Sequence, residues 1–201
     1  MALLIILIIL LVLAVVFFVT FPIFKRRIFS KNYNAFCDRK IRVIANKNQL
    51  NFLSNFKLNL YGEEDAKIDH IIFGRKYIYI LTNYYFDGDI KGTSDNNSWI
   101  LNKRGNNGSE YIDNISNQLS RKNGVFSSKI SANPELILPI AILNNDCAIN
   151  VNGINNNNTF VIHYSSLKKL IKNLESRDIA DIDSEKEKNI YENLVNENEE
   201  R

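Results

Sequence analysis

The sequence contains few of the residues from which metal, redox and nucleotide sites are built. Its two cysteines, Cys37 and Cys147, lie far apart and fit no metal or redox spacing, so we interpret both as reduced. The two histidines, His70 and His163, are equally isolated, and no zinc-ligand spacing is present. No G-x-x-x-x-G-K or G-x-G-x-x-G loop occurs, which argues against nucleoside triphosphate chemistry. No internal repeat is visible either.

Charge is absent from the N-terminus. Residues 2–24 form an apolar run interrupted only by Thr20 and Pro22. As a helix this run would be about 34 Å long, enough to cross a hydrocarbon core of about 30 Å. The run therefore predicts a transmembrane anchor.

The alternative to an anchor is a cleaved signal peptide. A signal peptide has basic residues before a shorter apolar stretch and small residues at its cleavage site, and neither is seen here. Lys25, Arg26 and Arg27 instead follow the run directly. The positive-inside rule then predicts a single-pass protein of the cell membrane, with its N-terminus outside and its soluble domain in the cytoplasm.

The charged residues are unevenly distributed along the chain. The segment 175–201 has ten acidic and four basic residues, so the remainder carries a net charge of +9. A basic domain near a membrane would suit anionic lipid headgroups or nucleic acid, although a solvated surface explains the charge as simply. We divide the chain into an anchor with its basic flank (1–27), a domain (28–174) and an acidic tail (175–201) that is a short charged helix or disordered.

Hydrophobic periodicity predicts an α/β domain in which helices and strands pack in layers. The residues 135–143 form a continuous apolar run of the kind buried on both faces of a sheet. Two strand-like runs, 67–73 and 77–83, flank Gly74 and predict a hairpin. The other predicted elements are helices at 33–46, 110–122 and 167–174 and strands at 52–60, 86–90, 99–101 and 159–163.

The hairpin carries a distinctive pattern, Ile-Asp-His-Ile-Ile at 68–72 followed by Tyr-Ile-Tyr-Ile at 77–80. With Ile90-Lys91-Gly92 and Trp99 downstream, it resembles the NERD (nuclease-related) domain. Asn114 and Gln118 match the spacing of that family's Asn-Pro-x-x-Gln helix, although Ile115 replaces the proline. The resemblance covers about 34–174. It implies a restriction-endonuclease-like α/β fold, with a central mixed sheet flanked by helices, of the PD-(D/E)xK nuclease type.

The resemblance also implies a catalytic site, and here that site is degenerate. Active members carry an aspartate, matched by Asp69, and an E-x-K triplet, matched by Leu81-Thr82-Asn83. The acid in the family's first helix is matched by Asp38, which as a surface helix residue is equally well explained. Leu81 cannot ligate a metal and Asn83 carries no charge, so we expect no cofactor, or magnesium if the protein is active.

Pairing Phe73 with Tyr77 across a three-residue loop would place Asp69 opposite Leu81, on one face with Asn83. His70 would then point to the opposite face. On this reading Asp69 is either a vestigial ligand or simply a solvated acid.

The sequence is compatible with three functions. The first is a membrane-tethered, catalytically inactive NERD-like domain that binds nucleic acid or a cytoplasmic protein. The second is a metal-dependent nuclease with migrated ligands, drawn from Asp38, Glu63 or Glu64, around Asp69. The third is a membrane-surface adaptor that binds lipid through its basic face and never meets nucleic acid.

Overall fold

The computed structural model describes residues 2–60, 63–105, 108–154 and 158–199. Within these ranges, side chains are described except at 2–10, 12–14, 19, 22, 23, 58–60, 63–66 and 199. The five α-helices of this part of the chain are α1 (Ala2–Lys31), α2 (Tyr33–Lys47), α3 (Ile115–Lys129), α4 (Leu167–Glu175) and α5 (Ser184–Glu199). Its nine strands are β1 (Asn51–Leu60), β2 (Glu63–Phe73), β3 (Ile78–Tyr84), β4 (Gly88–Thr93), β5 (Ser98–Lys103), β6 (Ser109–Asp113), β7 (Ile137–Leu143), β8 (Ile149–Asn152) and β9 (Phe160–His163).

The strands form two mixed sheets. The larger sheet has the order β1-β2-β3-β7-β9, antiparallel from β1 to β3 and parallel from β3 to β9. The smaller sheet has the order β6-β5-β4-β8, with β8 parallel to β4. The predicted α/β architecture of mixed sheet and flanking helices is confirmed, but one central sheet was predicted and there are two.

Helices cover both faces of the larger sheet. On one face, α2 and α4 pack their buried residues against Ile72, Leu81 and Ile140. On the other face, α3 and α5 pack through Phe126 and Leu194. Every residue of β7 is buried, as its continuous apolar run predicts for a strand covered on both sides.

One predicted helix was wrong in its first half. Ser109–Asp113 is a strand, and the helix begins only at Ile115. The reason is Asn114, whose side-chain oxygen accepts hydrogen bonds from the N–H groups of Ser116 and Asn117. This cap sets the first turn of α3 and ends the strand before it.

The described part of the acidic C-terminal segment ends in helix α5, which packs on the domain. Asp183 caps α5 by accepting from the N–H groups of Glu185 and Lys186. Tyr191 contacts Phe73 of the sheet edge-to-face at 5.4 Å between ring centroids, and Leu194 is fully buried. This docking was not predicted from the sequence, because α5 has few apolar residues and they lie between charged ones.

The N-terminal apolar run is helical and continues almost directly into α2. Hydrogen bonds from Asn32 N–H to Ile28 O and from Phe36 N–H to Asn32 O carry the helical pattern across the junction. Phe29 packs against Tyr33 at 5.7 Å between ring centroids, so the end of α1 belongs to the domain's core. Among the described residues, no helix is both long and apolar enough to span a membrane.

Replacing Leu194 with alanine should lower the free energy of unfolding by about 2–5 kcal/mol, because it removes a buried side chain from the sheet-facing side of α5. Urea unfolding of the variant and the wild type measures the difference. Glu192→Ala, at an exposed position of the same helix, is the matched control and should change stability by less than about 0.5 kcal/mol. Equal stability of all three proteins would show that α5 does not dock in solution.

Candidate functional site

An irregularity in β2 brings Asp69 and His70 to the same side of the sheet. Ile68 and Ile71 both pack in the cluster on the α3 side, although they are three residues apart. In a regular strand, residues three apart face opposite sides. The alternation of side chains between the two faces of the sheet is therefore shifted by one position between Ile68 and Ile71. As a result, Asp69 and His70 both line a pocket on the α2 side.

The neighbouring strand, β1, shows the same irregularity in side-chain alternation beside this part of β2. In β1, Leu53 and Phe56 also pack on the α3 side although they are three apart. Between them lies Asn55, with a φ of +56°, a left-handed value that asparagine tolerates better than most residues. The pairs Ser54–His70 and Phe56–Ile68 join β1 to β2, and Asn55 and Asp69 lie between them. The two strands thus distort together, which is a common feature of functional sites.

The pocket has a volume of about 440 Å³ and lies between α2 and the distorted part of the sheet. Seven of its eight lining residues are polar or charged. The lining residues are Asn34, Ala35, Asp38, Arg39, Asn55, Asp69, His70 and Asn83.

Both carboxylate oxygens of Asp69 are already engaged. Oδ2 accepts a hydrogen bond of 2.8 Å from the backbone N–H of Asn83. Oδ1 lies 3.5 Å from the ammonium of Lys67. Asp69 therefore holds the end of β3 against β2 and balances a lysine charge, and it is only 9% exposed.

The imidazole of His70 is buried between Asn83 and Asp38. Its Nε2 lies 2.9 Å from the amide nitrogen of Asn83, and its Nδ1 lies 3.7 Å from Oδ1 of Asp38. Because the amide nitrogen donates, Nε2 accepts, and the network assigns the ring proton to Nδ1, facing Asp38. Burial lowers the pKa of His70 to about 4, although the nearby carboxylates of Asp69 and Asp38 oppose this shift.

Three polar atoms of this pocket have no hydrogen-bond partner among the described residues. They are Oδ1 of Asp38, Nδ1 of His70 and Oδ1 of Asn83, and all three are buried. Buried polar groups are nearly always satisfied in folded proteins. Two acceptors and one donor in a single pocket therefore mark a place where a water or a polar ligand group completes the hydrogen bonding.

Exposed basic residues lie on α2, which borders the pocket, and on α4, which packs into the same core cluster. The helices α2 and α4 contain only two acids, Asp38 and Glu175. Asp38 pairs with Arg42 at 3.4 Å, and Glu175 accepts hydrogen bonds from the hydroxyl of Tyr79 and the N–H of Arg75. The exposed basic residues of the two helices, which we call the α2/α4 basic face, are Arg39, Lys40, Arg42, Lys47, Lys168, Lys169 and Lys172.

A model of the nuclease-related domain matches residues 33–144, more than half of the chain. The chain belongs to the NERD (nuclease-related domain) family. The match begins with α2, ends just after β7 and includes every site residue predicted from the sequence. No curated protein and no solved structure matches the chain.

Leu81, which the resemblance places at the glutamate position of an active NERD nuclease, is part of the hydrophobic core. Leu81 is fully buried and packs with the side chains of α2. Its cross-strand partner is His70, not Asp69, because Phe73 pairs with Ile78 and the hairpin loop is one residue longer than predicted. The predicted register was therefore wrong, and so was the prediction that His70 faces away from the site.

Asp69 nevertheless meets Asn83, through its side chain. The strand distortion turns the carboxylate toward the α2 side, where it reaches the backbone N–H of Asn83. The structure thus brings Asp38, Asp69, His70 and Asn83 into one pocket. The side chains of Glu63 and Glu64, the other candidate ligands, lie outside the described residues.

These residues do not fit the metal centre of an active nuclease. Leu81 offers no oxygen, and both oxygens of Asp69 are engaged by Lys67 and Asn83. Among the described side chains, no group of three or more His, Cys, Asp or Glu residues is placed to hold a metal ion. A magnesium site would need Lys67 to withdraw and a further ligand to be supplied.

The two polar residues of the NERD helix motif are structural here. Asn114 caps α3 and also donates to the carbonyl oxygens of Ser94 and Asn96, which pins the β4–β5 turn. Gln118 accepts a hydrogen bond of 2.7 Å from the hydroxyl of Tyr84, the residue after Asn83. Both side chains therefore position the small sheet and the end of β3 relative to α3.

Lys122 of α3 is the site neighbour that sequence reasoning missed. Its ammonium donates to Lys67 O at 2.9 Å and to the hydroxyl of Thr82 at 3.2 Å. Burial lowers its pKa, and the carboxylate of Asp69 opposes that shift. Nothing in the sequence distinguishes Lys122 from other helix lysines. Only the packing of α3 against the sheet brings its ammonium to Thr82 of β3.

The lowered pKa of His70 predicts a pH dependence of stability. Above about pH 6.5 the ring is neutral in the folded and the unfolded chain, so His70 does not make the free energy of unfolding depend on pH. Between pH 6.5 and about 4 only the unfolded chain takes up the proton, and stability should fall by up to about 3 kcal/mol. Urea unfolding near neutral pH and at about pH 4.5 measures this loss.

The comparison protein is His70→Gln, which should lose less stability than the wild type over the same range. His163→Gln is the control. It should lose as much stability as the wild type over this pH range, because it keeps His70. If the wild type and His70→Gln lose stability equally, the buried neutral state assigned to His70 is wrong.

Proposed function

We propose that this NERD-domain protein binds nucleic acid on its α2/α4 basic face without cleaving it, and that α1 holds it at a membrane. The observation that carries the proposal is the pocket at Asp69, which borders the basic helix α2 and in which Asn83 stands at the predicted position of the nuclease lysine. Each part of the proposal has its own support.

The charge distribution supports nucleic-acid binding. The seven exposed basic residues of the α2/α4 basic face are spread along two neighbouring helices, and the two acids of those helices are already engaged. On the opposite side of the sheet, α5 is acidic. A polyanion would therefore approach the pocket side, where each lysine or arginine that contacts a phosphate releases counterions.

The chemistry of the pocket supports binding without cleavage. Phosphodiester hydrolysis by this kind of site needs two carboxylates on a metal and a cation near the phosphate. In this chain the glutamate position is Leu81, the lysine position is Asn83, and Asp69 is paired with Lys67. Asp38 shares the pocket but interacts with Arg42.

The protein should bind a labelled DNA or RNA oligonucleotide in a salt-dependent manner. Replacing Lys168 and Lys169 together with glutamine should weaken binding by about tenfold, and the slope of log K against log salt should fall by up to about 2. Fluorescence anisotropy of the full chain in a neutral detergent measures both quantities. The matched control is Lys186→Gln with Lys188→Gln on α5, which should bind like the wild type.

Incubating the same complexes with magnesium or manganese separates this function from the metal-dependent alternative. We expect the oligonucleotides to remain intact. Robust cleavage that Asp69→Ala abolishes, while the exposed-site control Asp95→Ala keeps it, would establish a working nuclease. Binding to anionic vesicles but not to nucleic acid would instead support the membrane-surface adaptor.

Membrane anchoring is supported by the uncharged run 2–24 and by how α1 ends. Lys25, Arg26 and Arg27 follow the run, and Arg26 lies 3.8 Å from Asp87 of the domain. With the basic residues on the cytoplasmic side, the domain would lie in the cytoplasm. Since α1 continues into α2, the anchor would hold the domain without a flexible linker.

In cells, the full chain should stay in the membrane pellet after alkaline carbonate extraction, because a spanning helix is not released by the loss of electrostatic contacts. A chain that starts at Lys25 should move to the soluble fraction. Release of the full chain by carbonate or high salt alone would contradict a spanning anchor.

A further inference from the structure

The smaller sheet has one buried and one exposed face. Its buried face packs Ile90, Trp99 and Leu101 into the core. On the exposed face, cross-strand pairing aligns Asn150, Lys91, Ile100 and Tyr111 in one row across all four strands. Directly opposed residues project from the same face, so these side chains are neighbours.

The last residue of this row is Tyr111, which lies in the middle of β6. Tyr111 is 80% exposed, and its neighbour Ile100 is 37% exposed. The described residues make no ring contact with Tyr111. A rigid strand therefore presents a flat aromatic surface, with an aliphatic side chain beside it, to solvent.

A cation and two amide side chains surround this surface. Lys91, Asn96, Asn97, Ile100 and Tyr111 line a pocket of about 310 Å³, at the small end of the usual range for ligand sites. Lys103 nearby is paired with Glu110, whereas Lys91 has no ion pair within the described part of the chain. The pocket thus offers a stacking surface, hydrogen-bonding amides and one uncompensated positive charge.

We propose that this pocket holds one unstacked base of a single-stranded nucleic acid. The base stacks on Tyr111 beside Ile100, the amides of Asn96 and Asn97 reach its edge, and Lys91 binds the adjoining phosphate. This inference rests on the proposed nucleic-acid binding and adds a second contact region, on a different sheet from the α2/α4 basic face. It gives the protein a preference for unpaired over duplex strands, because only an unpaired base can leave its stack.

The chemistry of the row favours this occupant over a peptide or a second copy of the chain. A strand-adding partner would pair with the free edge of β6 and would not need the pocket, which lies on the face of the sheet. Aromatic stacking next to a lysine is the combination that single-stranded nucleic-acid sites use.

The test compares a single-stranded oligothymidylate with an abasic strand of the same length and charge. Tyr111→Ala in the full chain should weaken binding of the oligothymidylate at least fivefold and leave binding of the abasic strand unchanged. Tyr111→Trp, which keeps a stacking ring, should bind both strands like the wild type. Asn150→Ala, in the same row but outside the pocket, is the matched control and should also bind like the wild type.

The alternatives give different results. Equal weakening of both strands by Tyr111→Ala, or no weakening of either, overturns the base site, while Lys168→Gln with Lys169→Gln still reports on the basic face. If the wild type binds neither strand, the base site fails, and the proposed function fails with it if duplex DNA and RNA are not bound either. A loss of self-association in Tyr111→Ala, seen by size-exclusion chromatography without an effect on binding, would assign the surface to a second copy.

Discussion

The paired distortion of β1 and β2 is the constraint on which the site depends. In regular strands, Asp69 and His70 would face opposite sides of the sheet, one toward α2 and the other toward α3. The slip in alternation, together with the left-handed conformation of Asn55, sends both side chains to the α2 side. The hydrogen bond from Asn83 to Asp69 then closes the end of β3 over this region. The pocket exists because the backbone departs from regular geometry at this level.

The predicted catalytic positions of this pocket have structural contacts. Leu81 lies in the core beneath α2, and Asn83 contacts the buried ring of His70. The carboxylate of Asp69 accepts a hydrogen bond from a backbone N–H and pairs with a lysine. A buried carboxylate without such partners would be costly, and the structure supplies both.

Charge is separated across the larger sheet. The α2/α4 basic face lies on the pocket side, while the acidic helix α5 docks on the other side through Tyr191 and Leu194. Net charge alone hides this arrangement, since the chain as a whole carries only +3. The separation would orient the domain toward a polyanion and keep α5 away from it. The exposed row from Lys91 to Tyr111 adds an aromatic contact on the smaller sheet.

The sequence alone determined the family and the α/β class, and it predicted a degenerate triplet at Leu81 and Asn83, because these depend on residue identity and short-range periodicity. It also located the buried strand β7, whose apolar run is continuous. Only the tertiary structure decided the hairpin register, the face on which His70 lies, the docking of α5 and the placement of Lys122. A one-residue change in loop length reverses every side chain of a strand, and composition does not encode it. Likewise, a helix with few apolar residues shows its packing only when the surface that receives it is known.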